Sequence, residues 1–288
     1  MERGKVHKFQ CLSCKRIFSE NKGYKHKHKS EQTIVDAISL YATGLTLREE
    51  AEFLHLSRNT ILRWVHEYSI LLQKFLMKKI PTFSSKLHLD ELFLHMKGTF
   101  YYVWDAICAE TKFACGFLSQ TRRLEDADML LGISPSPIKL VSDGAFAYIT
   151  PILRRFGRQW ANENYHRCAD FEDKKNNNMV ERLQNTLRRW LHPKRGFYSL
   201  RTGNIMLNFE LVFYNFVRVH TTIKCTPAEK AGVFVYPTWI KDQKQRWRYL
   251  IERASFLLDL FFRERSTVNE DGAPSKPKRH IFKPVPHE

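Results

Sequence analysis

Residues 176–197 read NNNMVERLQNTLRRWLHPKRGF, and this stretch decides how the rest of the chain is interpreted. From Val180 onward its apolar residues recur at steps of three and four, which predicts one buried face of an α-helix. Pro193 and Gly196 end that helix, because proline and glycine commonly follow a helix C-terminus. Glu181 lies beside the apolar face, where a lone glutamate is usually a solvated charge.

Two upstream aspartates favour a different role for this glutamate. Asp90 lies in KLHLDELFLHMKG (86–98) and Asp143 lies in PIKLVSDGAFAYI (137–149), and each ends or interrupts a short apolar run typical of a strand. Three carboxylates from two strands and one helix would bind two divalent cations that hold a phosphodiester. We therefore predict a metal site at Asp90, Asp143 and Glu181. Three other acids are rival candidates: Asp105, Glu172 and Asp173.

The composition points to a polyanionic partner. The chain has 288 residues, of which 43% are hydrophobic, and this is enough for a folded core. Its 47 Lys and Arg outnumber 30 Asp and Glu to give a net charge of +17, which favours nucleic acid or a membrane surface as partner. The sequence has no run of eighteen apolar residues and no signal-peptide pattern, so we expect nucleic acid and no membrane. The scattered cysteines are typical of a reducing compartment.

The first thirty residues predict a small zinc module. Cys11 and Cys14 have the two-residue gap at which both thiolates reach one tetrahedral Zn²⁺ ion, and His26 and His28 could supply the other two ligands. One alternative is a chance pair of cysteines in a basic loop. Another is the second half of a zinc ribbon, whose first half would lie upstream of Met1.

Residues 31–80 predict a helical DNA-binding domain. Thr46 and Glu49 have the spacing of a capping box at the start of one helix, and Ser57 caps the next. Two helices joined by so short a break form a helix-turn-helix. The alternative is an ordinary three-helix bundle with a polar surface. Polar residues at the start of the second helix would face base edges in the major groove: Arg58, Asn59, Thr60 and Arg63.

The remaining segments predict an α/β core. In residues 81–232 a strand, a hairpin, a helix, a strand and further helices follow one another, which is the order of an RNase H-like fold with a mixed sheet flanked by helices. Residues 159–175 are predicted to be polar and irregular. We expect a C-terminal helical extension over 233–265 and a disordered basic tail over 266–288.

With these motifs the chain resembles prokaryotic insertion-sequence transposases of the DDE class, most closely the IS-six group and its archaeal relatives. The resemblance covers roughly residues 8–232, and its most specific part is N-N-x-x-E, ending at Glu181, with a P-x-x-G-F turn at 193–197. LHLDELFLHMKG and VSDGAFAY resemble the family's first and second acid motifs. HTTIKCTPAEKAGV (220–233) resembles its closing segment.

The resemblance implies a DNA-cleaving and strand-joining enzyme. Asp90, Asp143 and Glu181 would hold two Mg²⁺ or Mn²⁺ ions per active site, and water or a 3′-hydroxyl would attack in line. The implied partners are double-stranded DNA, as transposon ends and target, and further copies of the chain in the synaptic complex. The implied location is the prokaryotic cytoplasm, at the nucleoid. Many relatives carry His or Asn where this chain has Gln184, which can hydrogen-bond but cannot carry a proton.

Basic residues on and after the helix at 176–197 would contact the DNA backbone. The alternative is a solvated basic face. These residues are Arg182, Arg188, Arg189, Lys194 and Arg195.

Three functions remain open at this point. The first is an active transposase, and the second is a transposase-derived protein that binds a specific DNA sequence without cleaving it. The third is an RNase H-like nuclease, which we disfavour because such an enzyme does not need a separate helix-turn-helix. Inverted repeats flanking the gene would separate the first two.

Overall fold

A computed structural model describes residues 8–11, 17–19, 29–76, 79–81, 83–96, 98–143, 145–168, 177–191, 193, 197, 199–237, 239–253 and 282–284. Its strands are β1 (Lys8–Cys11), β2 (Ile17–Ser19), β3 (Phe83–Met96), β4 (Thr99–Cys108), β5 (Ala114–Ser119), β6 (Ser136–Ser142), β7 (Tyr165–Arg167) and β8 (Phe282–Pro284). Its helices are α1 (Glu31–Ala42), α2 (Leu47–Leu54), α3 (Arg58–Leu76), α4 (Leu124–Ile133), α5 (Ile149–Phe156), α6 (Arg158–Asn164), α7 (Asn178–Leu191), α8 (Leu200–Val212), α9 (Pro227–Lys230) and α10 (243–253). Within these residues, no helix is long and apolar enough to cross a membrane.

The central sheet is mixed, as expected. Among the described strands its order is β5–β4–β3–β6–β7. β3, β4 and β5 pair antiparallel, whereas β6 pairs parallel with β3 and β7 pairs parallel with β6. Helices α4 and α7 both contact β4, and α8 contacts β5. The prediction of a mixed sheet flanked by helices is therefore confirmed.

The segment predicted to be irregular is partly regular, so that prediction is wrong for its first half. Residues 158–164 form α6 and residues 165–167 form β7, while 169–176 lie outside the described residues. β7 has only three residues, all half-buried, so it carries no apolar alternation that a sequence pattern could reveal. Its place in the sheet depends on pairing with β6.

The capping predictions for the first helices are confirmed. The Thr46 hydroxyl accepts from the Glu49 amide at 3.3 Å, and the Glu49 carboxylate accepts from the Thr46 amide at 2.8 Å. The Ser57 hydroxyl accepts from the Thr60 amide at 3.1 Å. These side chains satisfy amide groups that have no partner within their own helix, so they fix where α2 and α3 begin.

The helices of residues 31–76 share one hydrophobic core with the sheet domain. Tyr41 on α1 packs edge-on against Phe209 on α8 at 5.7 Å between ring centroids. Trp247 on α10 stacks on the same Phe209 at 5.2 Å. The Ser69 hydroxyl on α3 donates to the Ile205 carbonyl at 2.6 Å. One continuous cluster of buried apolar residues therefore extends across the expected domain boundaries near residues 80 and 233.

The outer edge of the sheet is closed by asparagine side chains. The Asn215 amide accepts from the Ala114 N–H at 2.9 Å and donates to the Ala114 carbonyl at 2.7 Å. Asn204 on α8 makes the same pair of bonds to Leu118, at 2.8 and 2.9 Å. Because β5 is an edge strand in the described sheet, these amides take the place of a further strand.

A second described sheet has the order β2–β1–β8. It joins the N-terminal residues to Phe282–Pro284, which lie in the segment predicted to be a disordered tail. Residues 254–281 and 285–288 of the predicted extension and tail lie outside the described residues.

Candidate metal centre

Two of the predicted metal ligands meet because their strands are neighbours. Leu89 on β3 is the parallel partner of Ser142 on β6, so Asp90 and Asp143 each follow a paired position. Carboxylate oxygens of Asp90, Glu91 and Asp143 all lie within 4.8 Å of one another. Oxygen ligands at this spacing suit Mg²⁺ or Mn²⁺.

The acids are held in surroundings that disfavour their charge. Burial, and next the charge of Asp143, raise the pKa of Asp90 to about 7. Asp105 lies opposite Asp90 on β4 and is fully buried, and burial together with the Asp90 charge raises its pKa well above the usual value. Among the described residues neither Asp105 oxygen has a hydrogen-bond partner. A bound cation would relieve this repulsion.

Glu91 is the acid whose role the sequence analysis missed. Arg122 forms an ion pair with one carboxylate oxygen, and the Tyr148 hydroxyl donates to the other at 2.8 Å. Burial raises the pKa of Glu91, although the contacts to Tyr148 and Arg122 lower it. The sequence places Glu91 next to Asp90 in the first acid motif, and this could have indicated that it lies in the acid cluster. Its contacts to Arg122 and Tyr148 come from distant parts of the chain, so the sequence did not reveal them.

Helix α7 is attached to β3 at its first turn. The Asn177 side chain donates to the Leu89 carbonyl at 2.8 Å, and its oxygen lies 3.0 Å from Nδ1 of His88. Both Asn177 and His88 are buried. These bonds fix the start of α7 beside the strand that carries Asp90, and no role was predicted for Asn177 from the sequence.

Gln184 lies next to the acids about two turns further along α7. Its side chain is buried, and its amide lies next to the carboxyl groups of Asp90 and Asp105, where it lowers the pKa of each. The predicted apolar face of α7 is confirmed. Its residues are all buried: Val180, Leu183, Leu187, Trp190 and Leu191.

Glu181 lies between Asn177 and Gln184 on the helix. Residues 177, 181 and 184 are spaced by four and three, so they share one face of the helix. The Glu181 side chain is exposed, and its carboxylate is not part of the 4.8 Å cluster of the described acids. The structure thus brings Asp90 and Asp143 together and leaves the Glu181 carboxylate outside their cluster, on α7.

The predicted DNA-reading residues lie at the start of α3. Arg58, Asn59 and Arg63 are exposed, while Thr60 is half-buried and its hydroxyl lies 2.9 Å from that of Ser57. Arg58 and Asn59 line a cavity of about 630 Å³ between α2 and α3. The exposed basic residues of α7 are Arg182, Arg188 and Arg189.

Several of the predicted residues lie outside the part of the chain that the structure describes. Cys11 ends β1, but its zinc-binding partners in the prediction lie outside the described residues. Two of the predicted DNA-contacting residues and two of the rival acids also lie outside the described residues. The residues outside the description are Cys14, His26, His28, Lys194, Arg195, Glu172 and Asp173.

Comparison with known proteins finds a family match within the sheet domain. Residues 84–219 match the family described as the DDE domain. The chain is 24% identical over 141 residues to the transposase for insertion sequence element IS257 in transposon Tn4003 of Staphylococcus aureus. The alignment covers 47% of this chain and 55% of that transposase, so the chain spans little more than half the length of this relative.

Two solved structures are similar over half of the chain. The catalytic core domain of HTLV-2 integrase in complex with magnesium, in its trimeric form, is 12% identical with a TM-score of 0.36, covering 53% of this chain and 97% of that one. The simian T-cell lymphotropic virus intasome in complex with PP2A regulatory subunit B56 gamma is 11% identical with a TM-score of 0.38, covering 56% and 60%.

Proposed function

The chain resembles the DDE-class insertion-sequence transposases of the IS-six group, and we infer that it is itself a transposase. In this proposal it binds the terminal inverted repeats of its element, cleaves one strand at each end and joins the ends to target DNA. The observation that carries the proposal is the pair of carboxylates, Asp90 and Asp143, placed side by side by two parallel strands.

The donor set fits divalent cations. It consists of half-buried carboxylates, and burial together with the charge of Asp143 raises the pKa of Asp90 to about 7; such a cluster is compensated by positive charge. Two Mg²⁺ or Mn²⁺ ions held there would make water or a 3′-hydroxyl a better nucleophile and would stabilise the leaving oxygen. Asp143 is already oriented, because its Oδ1 accepts from the Ala145 N–H at 3.0 Å.

Glu181 is the third acid of this proposal. Asn177 and Gln184, on the same face of α7, contact the strands that carry Asp90 and Asp105, and Glu181 is the acid of α7 that lies between them. Glu91 is the alternative third ligand, although its two oxygens already contact Arg122 and Tyr148. In our assignment Glu91 orients these two residues and does not replace Glu181.

DNA would be held by two separate surfaces. The exposed side chains at the start of α3 would read base edges, because arginine pairs with guanine and asparagine with adenine through two hydrogen bonds each. The exposed arginines of α7 would contact phosphates, which position the duplex without reading its sequence. Assembly of several copies would bring two element ends together, at the nucleoid.

Strand cleavage by the purified chain tests the proposal. The substrate is a duplex that carries the inverted repeat found beside the gene, incubated with Mg²⁺. We expect a nick at the repeat end and then joined products, both lost in Asp143→Asn while duplex binding persists. Glu181→Gln should abolish cleavage, and Glu91→Gln should leave measurable activity. If the wild-type chain binds the repeat but never cleaves it with Mg²⁺ or Mn²⁺, the DNA-binding alternative replaces the transposase.

The zinc module remains a separate proposal. Cys11, Cys14, His26 and His28 would bind one Zn²⁺ ion per chain, because this set of sulfur and nitrogen ligands suits a structural tetrahedral site. The metal content of the purified chain tests this proposal, with Cys14→Ser expected to lose the ion. A wild-type chain that contains no zinc would contradict it.

A further inference from the structure

An exposed aromatic ring stands next to the acidic cluster. Phe146 is 75% exposed and follows Asp143 by three residues. It begins the short helix Phe146–Tyr148, whose last residue is fully buried and donates to Glu91. One short turn therefore points Tyr148 into the acid site and leaves Phe146 in solvent beside it, where its ring contributes little to the core.

A guanidinium lies on that ring. Cζ of Arg167 is 4.3 Å from the centroid of Phe146, which is the geometry of a cation–π contact. Arg167 ends β7 and is the register partner of Ser142, the residue before Asp143. The ring and the guanidinium thus occupy the C-terminal ends of β6 and β7, where ligands of parallel strands commonly bind.

The chemistry of this pair matches a nucleotide. An exposed aromatic ring stacks on the face of a base, whatever the base, and an arginine pairs with phosphate oxygens. Within an intact duplex each base face is covered by its neighbours. At a position inside the duplex, the ring can therefore receive only a base that has left the stack.

We propose that Phe146 and Arg167 form a subsite for an unstacked nucleotide beside the scissile phosphate, with the base on Phe146 and a phosphate on Arg167. The proposal rests on the proposed function, since the acids must hold a phosphodiester. Holding the flanking base out of the stack turns the scissile phosphate toward Asp90 and Asp143. The subsite favours DNA whose end is splayed and does not select the identity of the base.

A double-mutant cycle, which combines a substitution in the protein with a change in the DNA, tests the base contact. Cleavage is measured for wild type and Phe146→Ala on the normal repeat duplex and on one with an abasic site in place of the base beside the cleaved bond. Loss of one stacking contact is expected to slow cleavage about tenfold for either single change. The combined change should be no slower than the single ones. Phe146→Trp should retain the wild-type rate, and Phe234→Ala, at a ring that is 63% exposed elsewhere, is the matched control.

Binding is measured in parallel, so that the result does not depend on catalysis. Wild type should prefer a duplex with unpaired terminal nucleotides over a fully paired one, and Phe146→Ala should lose that preference. Arg167→Gln should weaken binding to both duplexes, because a phosphate contact is lost whatever the pairing.

The outcomes distinguish the two proposals. If Phe146→Ala slows cleavage by the same factor on normal and abasic DNA, or keeps the preference for splayed ends, the base subsite is wrong while the transposase proposal stands. If Arg167→Gln binds as wild type does, the phosphate contact is wrong. If the wild-type chain cleaves neither duplex but prefers splayed ends through Phe146, the nucleotide contact of Phe146 stands, while its place beside a scissile phosphate and the transposase proposal both fail.

Discussion

Asp90 would couple the proposed metal binding to pH. It has a pKa of about 7 because it is buried and faces the charge of Asp143. A cation must displace any proton that this carboxyl carries, so binding releases protons at neutral pH.

We therefore expect Mg²⁺ affinity to fall by about tenfold for each pH unit below about 7 and to level off above it. Calorimetric titration in two buffers of different ionisation enthalpy, between about pH 6 and about pH 8, measures both the affinity and the released proton. An affinity that does not change over this range would contradict the raised pKa of Asp90.

Asp105 is expected to limit stability at alkaline pH. Its folded-state pKa is raised above the unfolded value of about 3.9, so its stabilising contribution is present below that value and is lost as pH rises toward the folded pKa. The substitution Asp105→Asn keeps nearly the same side-chain shape but removes the titrating carboxyl group. The variant should unfold at a higher temperature than wild type at about pH 8 and show a smaller difference at about pH 5. Thermal unfolding of the metal-free chain at both values is the measurement, and a variant less stable at alkaline pH would refute it.

At the scale of elements, α7 depends on Asn177 for its attachment to β3. Asn177→Ala would leave the Leu89 carbonyl and the His88 ring without these partners, at a cost of about 1–3 kcal/mol for each buried group. The free energy of unfolding should fall accordingly, and DNA cleavage should fall further than DNA binding because Glu181 is carried by this helix. Thr186→Ala, on an exposed hydrogen bond of the same helix, is the control. Equal losses in the two variants would mean that Asn177 has no special role.

The edge strand β5 gives a second prediction at this scale. Asn215→Leu removes both bonds to Ala114 and should destabilise the fold by about 2 kcal/mol. It also exposes a strand edge, which should promote association of partly unfolded chains. Chemical unfolding and light scattering measure the two effects. Asn208→Leu, which removes no such pair from the described part of the sheet, serves as the comparison, and equal behaviour of both variants would contradict the capping role.

The closing motif of the family resemblance has a structural reason. Thr226 and Glu229 form a capping box around Pro227 at the start of α9. Glu229 also pairs with Arg246 at 3.8 Å, and Arg246 donates to the Val217 carbonyl at 2.9 Å. The motif TPAE thus joins α9 to α10 and closes the core, and it supplies no ligand to the acid cluster.

At the scale of the whole molecule, DNA-binding measurements can separate the proposed base contacts of α3 from the proposed phosphate contacts of α7. Asn59→Ala should weaken binding to the repeat duplex by about 1–3 kcal/mol and leave random-duplex binding nearly unchanged, because it removes a base contact. Arg188→Ala should weaken both and reduce the salt dependence by about one phosphate contact. Titrations of both duplexes at two salt concentrations decide this. If Asn59→Ala loses affinity for both duplexes equally, α3 does not read the sequence.

Patterns that depend only on neighbours in the chain were sufficient for much of this protein. The spacing of apolar residues determined α7, and Thr46 with Glu49 determined the start of α2, because helix periodicity and capping act within a few residues. The strand character around Asp90 and Asp143, together with the positive charge, predicted two acids of a phosphodiester site and a DNA partner.

Only the tertiary structure decided what meets across the sheet. The third close acid is Glu91, held by Arg122 and Tyr148, and the support of α7 comes from His88, 89 residues before Asn177. The three-residue strand β7, which brings Arg167 to Phe146, exists because β6 pairs with it. Such contacts depend on strand register and on burial. Burial also lowers the local dielectric constant, which raises the pKa of Asp90 and Asp105. Neither register nor burial is encoded by residues close together in the chain, so both were settled only when the sheet formed.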